Sequence, residues 1–208
     1  MNIEDSPFHY SIATRVRNRH FINLIKPDKK DKILDVGCGV GYFSKLLTNY
    51  GAEVWGTDIN PDSVKICKQT IGPNFFVGDA SKLEFKDNSF DKILCSEVLE
   101  HLKDDKGAVR EMFRVLKPNG TLVVTVPCTK GVFGSKIKNI MHDHHDGPEK
   151  HEREGYNKLE IIDLVHKSGF VVKNVKYAML FFVEIFMGFT KIVYSKKTGE
   201  DHLDSQAD

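Results

Sequence analysis

Asp35-Val-Gly-Cys-Gly-Val-Gly41 is the stretch on which the fold of this chain turns. It follows a compact apolar run, Lys32–Val36, and precedes a helical pattern from Tyr42 to Tyr50. Glycines at such a turn let the backbone reverse sharply and approach a ligand with no Cβ in the way. Alone, a glycine-rich strand-to-helix turn is shared by many nucleotide binders, and a bare tight turn would look the same. The surroundings have to decide.

Working outward, apolar runs alternate with helical stretches. Glu53–Thr57 reads as a second strand, and Pro61–Thr70 as a second helix opened by Asn60 as its cap. Phe75–Val77 is a short third strand and Phe90–Cys95 a fourth. Asp105–Leu116 is a helix closed by Lys117-Pro118-Asn119-Gly120, and Thr121–Val126 a β-branched fifth strand ended by Pro127. Such alternation predicts an α/β fold: a single domain with a doubly wound, mostly parallel Rossmann-like sheet and helices on both faces. Its ligand crevice lies at the carboxyl ends of the strands.

The expected organisation is an N-terminal arm and helix over 1–30 and a cofactor-binding core over 31–127. A His-rich lid insertion follows over 128–157, then a C-terminal helix and strands completing the sheet over 158–196, and a polar tail over 197–208. Within these, Ile12–Ile25 carries helical periodicity, Lys158–Ser168 a further helix, and Phe170–Tyr177 a sixth strand.

Glycine spacing and charge narrow the ligand. A dinucleotide fingerprint runs G-x-G-x-x-G, its third glycine permitting close helix–strand packing behind a pyrophosphate. Here the spacing is G-x-G-x-G, Tyr42 stands at the third dinucleotide position, and Asp35 precedes the first glycine by two residues. A carboxylate there suits a cation better than a pyrophosphate. S-adenosylmethionine, with a sulfonium, an ammonium and no phosphate, fits. Asp58 ends the second strand 19 residues after Gly39, placed to accept both ribose hydroxyls; the plainer reading, a helix cap, suits Asn60 better. Asp79 ends the third strand in Gly78-Asp79-Ala80, where it faces the adenine amino group or merely stabilises a turn.

Taken together, Lys32–Gly41, Val54-Trp-Gly-Thr-Asp58, Phe76-Val-Gly-Asp-Ala80, Phe90–Leu102 and Arg114–Leu122 resemble the class I S-adenosylmethionine-dependent methyltransferases. Within that class they resemble the ubiquinone-biosynthesis O-methyltransferase-like group. The resemblance covers about residues 30–127, with a looser echo at His151–Phe170. It implies that Gly37, Cys38, Gly39 and Gly41 line the amino-acid part of the cofactor, with Asp35 towards its ammonium. It further implies that Asp58 holds the ribose, that Ile59 flanks the adenine, and that Asp79 and Ala80 face the adenine edge. Ser96 would offer backbone near the methionine carboxylate. Arg19 is the candidate partner for that carboxylate, in competition with Arg15, Arg17 and a purely solvated helix face.

Methyl transfer from a sulfonium is an in-line displacement, so alignment and water exclusion carry most of the catalysis. A hydroxyl acceptor also needs a base. His101, just beyond the fourth strand, is the first candidate and a structural turn histidine the alternative. His151, before the helix at Lys158, is the second. Glu97 and Glu100 share the His101 turn and could instead orient substrate or bind a divalent metal. The insertion's His142, His144 and His145 lack regular ligand spacing, so no metal is expected.

Lys and Arg number 30 against 29 Asp and Glu, a net charge of +1, so no global field favours nucleic acid. Cys38, Cys67, Cys95 and Cys128 form no C-x-x-C pair, and the start lacks a basic-then-apolar leader, which predicts a reduced, cytoplasmic setting. Tyr177–Tyr194 is strongly aromatic but is interrupted by Glu184, Gly188 and Lys191. Its simplest reading is the end of strand six, a short helix and a last antiparallel strand. The sharper one is a wall for a lipophilic acceptor or a peripheral membrane contact. The expected activity is methylation of a small molecule, lipophilic on this sharper reading, with oxygen the favoured target. The rivals are a nicotinamide-dependent oxidoreductase and a non-catalytic nucleoside-binding module. Oligomeric state is not encoded in these features.

Overall fold

The computed structural model describes residues 12–128, 152–179 and 188–196. Its elements are α1 (Ile12–Ile25), β1 (Lys32–Val36), α2 (Tyr42–Thr48), β2 (Glu53–Asp58), α3 (Pro61–Thr70), β3 (Phe75–Val77) and β4 (Phe90–Ser96). A 3-10 turn (Leu99–His101), α4 (Asp105–Val115), β5 (Leu116–Pro127), α5 (Lys158–Lys167), β6 (Phe170–Met179) and β7 (Gly188–Lys196) follow. Seven strands form one sheet in the order β3-β2-β1-β4-β5-β7-β6. The first five are parallel; β7 lies antiparallel between β5 and β6. This is the doubly wound arrangement expected.

The central strands are buried on both faces, as a parallel sheet covered by helices requires. Ile33, Leu34 and Val36 of β1, Ile93 and Leu94 of β4, and Leu122, Val123 and Val124 of β5 are fully enclosed. One face packs Leu34, Val36, Ile93 and Val124 against Val109 and Met112 of α4 and Ile161 and Val165 of α5. The other packs Ile33, Leu94 and Val123 against Phe21 and Ile25 of α1, Leu47 of α2 and Val64 of α3. Truncating such a side chain, as in Leu34→Ala, costs about 2–5 kcal/mol. The strand ends are therefore rigid, and the groups they carry are held in place.

Two local outcomes differ from the sequence expectation, and a third goes beyond it. Lys117-Pro118-Asn119-Gly120 does not separate α4 from β5 but lies within β5 as an irregularity. Leu116 pairs with Phe90, and the ladder resumes only at Lys92↔Thr121. Asn119 supplies the turn with φ 61°, a left-handed conformation that Asn tolerates better than most residues. Strand β2 runs one residue further, bringing Asp58 into register with Val77. The last strand is antiparallel, and its place, which the sequence reading left open, is between β5 and β6. Among the described residues no helix is long and apolar enough to cross a membrane.

Candidate active site

The glycine loop is built by main-chain geometry. Gly37, Gly39 and Gly41 have φ of 69°, 50° and 87°, values that favour glycine. The amides of Gly37 and Cys38 both donate to the Thr57 carbonyl of β2, at 2.8 and 3.0 Å, so the loop folds over the neighbouring strand end. A Cβ at Gly37 would collide with Val98 at 2.3 Å, and one at Gly41 with Ile71 at 2.5 Å. A Cβ at Gly39 would meet nothing within 4 Å. There the backbone faces open space, as a loop that closes on a ligand should.

Asp58 stands at the tip of β2. Its Oδ2 accepts from the Gly39 amide at 2.7 Å and its Oδ1 from the Asn60 amide at 2.9 Å. The sequence offered a choice between cap and site residue for Asp58, and the cap falls to Asn60, which accepts from Asp62 and Ser63. Beside it Ile59 is 72% exposed, an apolar face presented at the crevice.

Asp35 is 2% exposed beneath the loop, where Ser44 of α2 donates to its Oδ2 at 2.6 Å. Burial pushes its carboxyl up to about 7; the Ser44 bond pulls downward, and the Asp58 charge adds to the rise. A buried acid poised near neutrality gains most from a cation brought close. Asp79 accepts from both the Ser81 amide and the Ser81 hydroxyl through Oδ1, so it does stabilise its own turn. Ala80 is buried next to it. Arg19 is exposed on α1; its neighbour Asn18 donates to the Tyr42 hydroxyl at 2.6 Å, seating α1 against the start of α2.

The fourth strand end holds an arrangement the sequence did not make legible. Ser96 and Thr125 join their hydroxyls at 2.8 Å, and Thr125 donates to Glu97 Oε1 at 2.9 Å. Glu97 has φ 56°, a strained conformation for a residue with a side chain. Glu100, three residues on, is 1% exposed, and burial pushes its carboxyl up to about 7. One Glu100 oxygen, Oε2, finds no hydrogen-bond partner among the described residues. His101 closes the same 3-10 turn. No group of three or more His, Cys, Asp or Glu among the described residues is arranged to hold a metal ion.

The segment after the insertion anchors to this turn. The amides of Glu152 and Arg153 donate to the Glu100 carbonyl, at 3.0 and 3.1 Å. Tyr156 is buried, its hydroxyl donating to Asp105 at 2.8 Å, while Arg153 pairs with Asp105 at 3.0 Å and lies over the Tyr156 ring. Gly155 makes the close approach possible, since a Cβ there would strike the Pro127 carbonyl at 2.4 Å. Glycine before an aromatic residue was the only sequence signal for this anchor. His151 and the histidines of the insertion lie outside the described residues.

A glycine loop over the first strand, acids at the ends of the next two, and this strand order define an α/β protein of the class I methyltransferase fold. Residues 34–124, somewhat under half of the chain, match the methyltransferase domain family. Among curated relatives it is 39% identical over 108 residues to norajmaline N-methyltransferase of Rauvolfia serpentina, covering 47% of this chain and 37% of that one. It is 33% identical over 100 residues to ubiquinone biosynthesis O-methyltransferase of Xanthomonas campestris, covering 45% and 42%. The chain thus spans well under two thirds of those relatives' length. A solved S-adenosylmethionine-dependent methyltransferase from Methanosarcina mazei superposes with a TM-score of 0.68 at 24% identity, over 86% of this chain and 97% of that one.

Proposed function

We propose that the protein transfers the methyl group of S-adenosylmethionine to a small acceptor, with a hydroxyl oxygen as the favoured target. The observation that carries this reading is Asp58, whose carboxylate clamps the Gly39 amide at 2.7 Å beside the open face of the glycine loop. Each carboxylate oxygen has a second lone pair for a ribose hydroxyl. Gly37, Cys38, Gly39 and Gly41 border the amino-acid end, Asp35 answers its ammonium, Ile59 covers one adenine face, and Asp79 and Ala80 meet its edge. Ser96 and Arg19 serve the carboxylate. The bound cofactor supplies an activated methyl group on a sulfonium. The protein's part is to hold donor and acceptor in line and to keep water out.

The proton of a hydroxyl acceptor goes to His101, because a strand-end turn fixes a group more firmly than a long insertion holding His151. A second reading places the proton on the Glu97–Glu100 pair, favoured by a buried carboxyl near 7 in the same turn. The O-methyltransferase relative supports oxygen and a quinone-like, lipophilic acceptor; the N-methyltransferase relative supports an amine. Incubating the protein with methyl-labelled cofactor and fractionated metabolite extracts tests the proposal. A labelled small-molecule product is expected, and label found only in protein or nucleic acid would oppose it.

A further inference from the structure

Tyr156 is among the largest side chains sealed inside the fold, yet it stands apart from the glycine loop and the strand-end acids. Its hydroxyl shares one proton between Asp105 Oδ2 at 2.8 Å and the Leu99 carbonyl at 3.1 Å. Phenylalanine would fill the same space, so packing does not account for the oxygen. The Leu99 carbonyl belongs to the 3-10 turn that carries Glu100 and His101. That turn's own bonds run from the His101 amide to the Val98 carbonyl at 3.0 Å and from the Leu102 amide to the Leu99 carbonyl at 3.2 Å. A 3-10 turn this short is held weakly by such bonds. Residues 152–156 add to them. The Glu152 and Arg153 amides close on the Glu100 carbonyl at 3.0 and 3.1 Å, and the Arg153 guanidinium reaches Asp105 at 3.0 Å. The same segment is fixed to β5 by the Tyr156 amide, which donates to the Pro127 carbonyl at 2.9 Å. Asp105, buried at the head of α4, thus takes both a phenol and a guanidinium. A buried carboxylate deprived of either is left short of a partner.

We propose that Tyr156 and Arg153 are positioning residues of the methyl transfer, which act through Asp105 and the Leu99 and Glu100 carbonyls to hold the His101 turn in its reactive place. The inference rests on the methyltransferase reading, since only a reaction at that turn makes its placement matter. Strand β4 fixes one end of the turn, at Ser96, and α4 begins beyond the other, at Asp105. Tyr156 grips the turn and the head of the helix with a single oxygen, and its amide ties both to β5. Loss of that oxygen frees the Leu99 carbonyl and leaves Asp105 to Arg153 alone, so the turn shifts with the group it carries. Misplacing a reacting group by about 1 Å costs on the order of 10²-fold in rate. Cofactor binding is a separate matter. The glycine loop, Asp58 and Asp79 follow β1, β2 and β3, whereas these Tyr156 and Arg153 partners lie on the turn, α4 and β5. Turnover and cofactor affinity should therefore part company.

The test compares the full chain with its Tyr156→Phe variant, both carrying carbon-13 in the histidine rings, and His101→Gln assigns the His101 signal. In Tyr156→Phe that ring signal should shift or broaden. Exchange of the His101 and Leu102 amides should quicken roughly tenfold, the scale of one lost hydrogen bond. Affinity for S-adenosylhomocysteine, by calorimetry, should stay within about twofold, the limit of additivity for separate sites. With methyl-labelled cofactor and the extract fraction that yields labelled product, kcat should fall roughly 10- to 100-fold while the cofactor KM holds. Arg153→Gln should repeat the pattern should the phenylalanine variant fail to fold. Arg153→Lys, which returns a cation to Asp105, should recover most of the loss. Variants with the wild-type His101 signal and wild-type amide exchange overturn the proposal. A loss of S-adenosylhomocysteine affinity in step with turnover also overturns it, because a general structural role does that. Wild-type protein that binds no S-adenosylhomocysteine contradicts the methyltransferase reading instead, and the ring signal and amide exchange then decide by themselves whether Tyr156 and Arg153 hold the turn.

Discussion

Replacing Asp58 with alanine separates the two things its carboxylate does. The side chain accepts from Gly39 at 2.7 Å and from Asn60 at 2.9 Å, and it is proposed to accept two ribose hydroxyls on its remaining lone pairs. Asp58 is only partly buried, so the orphaned amides can turn to water, and the loss in stability should stay near 1–2 kcal/mol. Ligand affinity should fall further. Charge-assisted bonds contribute about 1.5–3 kcal/mol, which corresponds to roughly 10- to 150-fold in dissociation constant. Asp58→Asn should fall between, since its amide keeps one acceptor oxygen but sets an N–H donor against either an amide or a hydroxyl. Calorimetric titration with S-adenosylhomocysteine, alongside thermal melts, gives both numbers. A folded Asp58→Ala protein that binds as tightly as wild type refutes the ribose assignment.

Other outcomes follow from the same site. Gly39→Ala should cost only about 1 kcal/mol in stability, since it is strained at φ 50° but sterically unopposed, yet weaken S-adenosylhomocysteine binding at least tenfold; parallel urea melts and calorimetry decide it. Asp35 titrates near 7 in the fold against an ordinary 3.8, so its contribution is full below about pH 4 and is lost as pH rises towards 7. The ligand-free Asp35→Asn protein should therefore gain on wild type by at most about 4 kcal/mol between urea melts at pH 4 and pH 8, and equal changes in both proteins would remove the assignment. His101→Ala should lower turnover about 10²–10⁴-fold with cofactor affinity nearly unchanged, whereas His151→Ala should mainly raise the acceptor's KM. If Glu100→Gln instead removes the pH dependence of kcat near 7, the carboxyl pair is the base.

What the sequence revealed was what main-chain geometry and hydrophobic periodicity impose locally. The loop from Asp35 to Gly41, the Asn60 cap with Pro61 behind it, and Asp58 at the end of β2 sit where residue type alone placed them, while Asp79 lies two residues past the end of β3. The irregularity at Lys117–Gly120 was legible as a turn but not as part of a strand, because the Phe90–Leu116 pairing before it depends on a partner elsewhere in the chain. The place of β7 inside the sheet was illegible for the same reason. The Thr125–Glu97 bond comes with a left-handed backbone at Glu97, which no side-chain pattern announces. The Cys67 bond to the Gly39 carbonyl joins residues on two different elements, and the Tyr156–Asp105–Arg153 anchor spans the insertion. Each depends on long-range packing rather than on period or propensity.

The most direct measurement is a thermal melt with S-adenosylhomocysteine and, separately, with NAD. At a hundredfold excess over the dissociation constant, a ligand that binds only the folded chain stabilises it by about 2.7 kcal/mol. For a domain of this size that is roughly 5–10 °C in Tm. S-adenosylhomocysteine should produce that shift and NAD none; a shift with NAD alone would contradict the methyltransferase reading.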